Sequence, residues 1–126
     1  MSIAQFRSIV LDCPDPKRLA DFYGALLGWK VDDSRDDWVV VTGDGPGRLC
    51  FQLAPDHRPP DWPGNERPQQ FHLDLTVDDL DEAEKVALEL GAVKHSHQPA
   101  EQEEDGEGDF RVFLDPAGHP FCFCVD

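Results

Sequence analysis

The chain has 126 residues, 40% of them hydrophobic and 29% charged, which is the size and balance of one ordinary globular domain. Its 26 acidic residues against 11 Lys and Arg leave a formal net charge of −15, which repels nucleic acid and anionic membranes and argues against both as partners. No apolar run approaches the roughly 18 residues of a membrane span, and the opening MSIAQFRSIVLDC has no signal-peptide pattern. The expectation is a cytoplasmic domain.

Residues 5–12 (QFRSIVLD) read as a strand, rich in β-branched and apolar residues. Asp15 offers an N-cap, Pro16 suits the first helical position, and Leu19, Ala20, Phe22, Tyr23, Leu26 and Leu27 follow at helical spacing. Gly28 supplies the stop. Phe22 and Tyr23 are read as packing. Trp29 to Val31 form a short strand, Asp37 to Thr42 a firmer one, and Arg48 to Ala54 another after the turn GDGPG.

Residues 55–70 (PDHRPPDWPGNERPQQ) carry five prolines and cannot continue a helix or a sheet. The segment is a crossover, longer than usual, and reads equally as a plain linker or as a flap that brings Trp62 over a pocket. The earlier order then returns. Phe71 to Thr76 are a strand, and Asp79 caps a helix with Glu82 completing a capping box. Ala83, Val86, Ala87 and Leu90 are its expected buried stripe, and Gly91 ends it. Ala92 to His97 are a strand, the acidic stretch AEQEEDGEGD is an exposed loop, and Asp109 to Leu114 and Pro120 to Val125 are the last strands. His119, in the turn DPAGHP between them, is expected to brace the hairpin.

The halves align. Ser8 maps to His72 on an offset of 64, and DWVVVTGDGPGRLCF maps to DFRVFLDPAGHPFCF without a gap on an offset of 72. This is duplication of a βαβββ unit, about 3–54 and about 71–126, within one domain of α+β class. A unit with one helix covers one face of its sheet, so two must pair to finish a core.

The segments LDCPDPKRLADFYGALLGW, FHLDLTVDDLDEAEKVALELGA and FLDPAGHPFC resemble the vicinal oxygen chelate superfamily, which includes glyoxalase I, extradiol dioxygenases and bleomycin-resistance proteins. The resemblance spans nearly the whole chain and is nearest to the glyoxalase-like domain branch. It implies paired βαβββ modules whose sheets curve into a cup, often as a homodimer. It also implies metal ligands on the first and last strands of each module, which here are Ser8, Cys50 or Gln52, His72 and Cys122. Cys50 and Gln52 lie two apart and share a face, so both remain candidates.

This set offers one His with Ser, Gln and Cys, and no carboxylate. A hard divalent cation loses its anionic ligand there, and the usual general base is gone. The expectation is therefore no cofactor. Zinc is the metal that His72, Gln52 and Cys122 would take if any, since thiolate and imidazole suit it. No cysteine pair has the CxxC spacing, so Cys13, Cys50, Cys122 and Cys124 are expected as free thiols. Alternation adds Asp12 to the face of Ser8, and Asp74 to that of His72. The ligand-contacting residues are thus expected among Ser8, Asp12, Cys50, Gln52, Trp62, His72, Asp74 and Cys122. Two functions follow: a metal-free binder of a small molecule, with Asp12 and Asp74 available to meet a cationic group, as in antibiotic sequestration, or a glyoxalase-type lyase or isomerase with His72 as acid/base.

Overall fold

A computed structural model of the chain describes residues 2–102 and 109–125. The chain divides into two compact units, Met1–His57 and Arg58–Asp126. The crossover from Arg58 onward thus belongs with the second unit. Most of the acidic stretch expected as an exposed loop, residues 103–108, lies outside the described residues.

In the first unit, β1 (Ser8–Cys13) leads to α1 (Pro16–Leu27), then β2 (Lys30–Asp32), β3 (Trp38–Thr42) and β4 (Arg48–Leu53). The sheet order is β1-β4-β3-β2, with β1 parallel to β4 and the other pairs antiparallel. The Asp15 side chain accepts from the Arg18 backbone N–H at 3.2 Å and Pro16 opens the helix. Gly28 closes it in the left-handed region, at φ 69°. Side-chain alternation then decides the core. Leu19, Ala20 and Tyr23 are buried together with Val39, Val41, Leu49 and Phe51, and Tyr23 stacks on Phe51 with ring centroids 5.7 Å apart. Phe22 is buried too, as packing.

The second unit repeats the order as β5 (Leu73–Thr76), α2 (Leu80–Glu89), β6 (Val93–Lys94), β7 (Phe110–Leu114) and β8 (Pro120–Cys124), in a sheet β5-β8-β7-β6. The duplication holds down to register. Val10 pairs with Cys50 and Val40 with Cys50 in the first sheet; Asp74 pairs with Cys122 and Val112 with Cys122 in the second, on the same two offsets. Both four-stranded sheets are mixed and open. Phe113, Phe121 and Phe123 fill the helix-facing side, their centroids 5.2 to 5.7 Å apart.

Three elements differ from expectation. The strand expected at Ala92 to His97 is only Val93–Lys94, because the Gln98 side chain replaces a strand neighbour. Its amide donates to the His95 and Val112 carbonyls at 2.7 and 2.8 Å, and its oxygen accepts from the Val112 N–H at 2.9 Å. The expected buried stripe of α2 reduces to Ala87, with Val86 exposed. Here Arg111 stands on the helix-facing side where the first unit has Val39, and it pairs with Asp81 at 2.8 Å and Glu84 at 3.2 Å. The helix therefore turns Glu84, rather than Val86, toward the sheet. Finally, β5 starts at Leu73, leaving Phe71 and His72 just ahead of the strand. Among the described residues no helix is long and apolar enough to cross a membrane.

Candidate functional site

The second sheet has one helix-covered face and one other. Register places Asp74, Thr76, Phe110, Val112, Leu114, Pro120, Cys122 and Cys124 on the other. Over it comes the proline-rich crossover. Pro59 packs against Gly118, whose φ is 88° and where an added Cβ would lie 2.5 Å from Pro59 Cβ. No side chain fits at Gly118 without moving the crossover. Arg67 donates from Nε to the Pro59 carbonyl at 3.2 Å, and the Asp61 N–H donates to the Arg67 carbonyl at 2.6 Å. The segment is thereby folded back on itself.

Between crossover and sheet lies a cavity of about 390 Å³. Its walls are Trp62 and Gln69 from the crossover, Pro99, Phe110, Val112 and Pro120, with Cys122 and Cys124 on β8 and His72 and Asp74 at the start of β5. The volume falls within the range of small-molecule sites, and an apolar wall with a few placed polar groups is their usual chemistry.

The polar groups are coupled. His72 Nε2 lies 3.0 Å from Asp74 Oδ1, and both side chains are exposed to solvent. Cys122, beneath them, is nearly closed off. Burial foremost, and the neighbouring Asp74 carboxylate next, push its thiol from an ordinary 9.0 up to about 12. Cys122 is therefore a neutral thiol donating to Asp74, not a thiolate nucleophile. The Gln69 oxygen is buried with no hydrogen-bond partner among the described residues, an unused acceptor in the wall.

Of the residues expected from the sequence, Trp62, His72, Asp74 and Cys122 come together in this cavity. Ser8, Asp12, Cys50 and Gln52 belong to the first unit. There Ser8 pairs with Arg48, and Asp12 with Gln52, on the sheet side away from Phe51. Cys50 is buried, whereas Asp12 and Gln52 are exposed. All four cysteines are free thiols. His119 braces its hairpin through its backbone, accepting from the Asp115 N–H and donating to the Asp115 carboxylate at 3.0 Å. Alternation places Cys124 on the face of Cys122, where it lines the cavity, whereas sequence reasoning missed Gln69 and Phe110. For Phe110 the alternation that found Asp74 was signal enough.

The donor atoms of His72, Asp74 and Cys122 lie within 4.8 Å of one another. They fit poorly as the divalent metal site that the fold family implies. A hard cation takes oxygen ligands, yet only Asp74 supplies one here. The Asp74 oxygens already face the imidazole Nε2 at 3.0 Å and accept from the Cys122 thiol.

The chain belongs to the glyoxalase-like domain family, whose model matches residues 8–124, and so to the vicinal oxygen chelate superfamily. No curated protein matches the sequence. Among solved structures, it is similar to a glyoxalase/bleomycin resistance protein/dioxygenase family enzyme from Burkholderia phytofirmans PsJN. That match has a TM-score of 0.70 at 16% identity, over 97% of this chain and 98% of the other. A glyoxalase-related enzyme from Fulvimarina pelagi gives 0.68 at 19% identity over 98% and 89%. A possible glyoxalase from Bacillus cereus gives 0.66 at 12% over 98% and 99%. At these identities the likeness is one of fold.

Proposed function

We propose that this protein binds a small organic molecule in the cavity of its second unit without using a metal. The observation that carries the reading is the lining: an aromatic and apolar wall closed at one end by a hydrogen-bonded His72–Asp74 pair above a protonated thiol. Such a site holds and orients a ligand but offers no activated nucleophile. Among the described residues of the lining, Asp74 carries the only acidic group and there is no Lys or Arg. A flat molecule bearing an amidinium or ammonium group therefore suits it, with its ring against Trp62 and Phe110. The charge of −15 attracts such cations over longer range. Sequestration of a cationic aromatic antibiotic is one biological use of this chemistry. A thermal-shift panel of cationic aromatic compounds, antibiotics included, is expected to yield ligands that raise the melting temperature with concentration and emerge unchanged. A panel without any shift would contradict binding.

The second reading is a lyase or isomerase of the glyoxalase type. The 3.0 Å His72–Asp74 contact favours it, because a carboxylate on one imidazole nitrogen orients the other for proton transfer. This reading predicts turnover of a small carbonyl or thiol-adduct substrate that is abolished in His72→Ala. Binding that survives in His72→Ala without any turnover by the parent protein supports the first reading.

A further inference from the structure

The crossover is fastened to the second unit through one histidine that the sequence did not mark. The His95 ring is held at both nitrogens. Nε2 lies 2.9 Å from the Trp62 carbonyl, and Nδ1 lies 2.9 Å from the backbone N–H of His97. The His97 N–H can only donate, so Nδ1 must accept. The proton then sits on Nε2, which donates to Trp62. The held ring is thus the neutral Nε2–H tautomer. The Trp62 indole, a wall of the cavity, lies edge-to-face against both His95 and His97, with centroids at 5.1 and 5.3 Å.

We propose that His95 is a pH-sensitive latch on Trp62: neutral, it holds the indole as the cavity wall; protonated, it releases it. The proposal rests on reading this cavity as the binding site. A proton on Nδ1 would set an N–H against the His97 N–H at hydrogen-bond distance, two donors facing each other. The backbone at His95 is tied down, because the His95 N–H donates to the Val112 carbonyl and the Gln98 amide donates to the His95 carbonyl. The ring is what moves. Since its two nitrogens are pinned together, relieving one contact breaks the other and frees the Trp62 carbonyl. Among the described residues, the groups against the His95 ring are the Trp62 carbonyl and indole and the His97 amide. His97 is the other titratable group on the same indole. Release opens the site for exchange, and the neutral ring closes it around its contents.

The experiment reads Trp62 directly and needs no ligand. With Trp29 and Trp38 replaced by Phe, Trp62 is the sole tryptophan of the full chain. Its quenching by acrylamide is followed from about pH 8 to about pH 5. The expected result is a quenching constant that rises at least about twofold on acidification, as a two-state shift in population requires. His95→Gln offers an amide N–H to Trp62 and an oxygen to His97 at every pH, so its quenching should stay low and flat. His95→Ala should be high throughout. No pH response in the parent, or a response that persists in His95→Gln and vanishes only in His97→Gln, overturns the proposal. Should the Phe replacements fail to fold, 5-fluorotryptophan in the native chain, with the Trp62 resonance assigned by Trp62→Phe, reports the same exposure through relaxation by a soluble gadolinium chelate. A latch that titrates in a protein binding no compound would separate this claim from the reading of the cavity.

Discussion

Cys122 is the residue whose chemistry is most altered by its place. With its thiol pushed from 9.0 to about 12, it stays protonated in the folded chain while the same residue in the unfolded chain titrates near its ordinary value. Below about pH 9 both states hold the proton and its contribution to stability is complete; as pH rises from there toward about 12 only the unfolded state loses it, and stability falls. Urea midpoints measured on either side of pH 9 should therefore drop more for the parent than for Cys122→Ala, and an equal drop in both would contradict the assignment. Alkylation by iodoacetamide, resolved by peptide, should be slow at Cys122 and faster in Asp74→Asn, because the carboxylate that helps raise the thiol is removed. His72 and Cys122 were legible through the superfamily resemblance, and Asp74 through two-residue alternation from His72. Gln69 and His95 were not, since their roles depend on where a proline-rich crossover with no periodicity comes to rest.

At the level of elements, the caps were legible because capping is local chemistry. Gly28 tests this cleanly. Its φ is 69° and an added Cβ would meet nothing within 4 Å, so Gly28→Ala should cost about 1–2 kcal/mol of folding stability from backbone strain alone. A urea-denaturation series checks it, and an unchanged stability would mean that the left-handed cap is dispensable. Gln98 is the opposite case, a polar side chain buried as a substitute strand, with nothing in its sequence neighbourhood to announce it. Gln98→Ala strips the Val112 N–H of its acceptor and should cost about 1–3 kcal/mol. Hydrogen exchange at the Val112 amide should accelerate in the same variant; unchanged protection there would contradict the substitution of side chain for strand. The face of α2 was misread for a related reason. Helical periodicity marks apolar positions on α2, but only the partner strand reveals that Arg111 stands opposite and draws Glu84 inward.

For the molecule as a whole, duplication carried the α+β architecture, because two sheets with the same strand order and register follow from two copies of one pattern. It did not carry function equally, since the copies have diverged at matched places: Ser8 stands where the second unit has His72, and Val10 where it has Asp74. That asymmetry concentrates the coupled polar groups in the second unit. It also predicts weak metal binding. Protein exposed to excess zinc and then dialysed should retain well below one zinc per chain by elemental analysis, and a full equivalent lost in Cys122→Ala would contradict metal-free binding. The central claim is that the cavity beneath the crossover is where a ligand sits. Its most direct test is an amide proton–nitrogen correlation titration of the native protein with 2-naphthamidine. Saturable shifts are expected at Trp62, Gln69, Phe110, Val112 and Cys122, weakened in Asp74→Asn. Saturable shifts confined to residues of the first unit, or none in the second unit at any concentration, would contradict it.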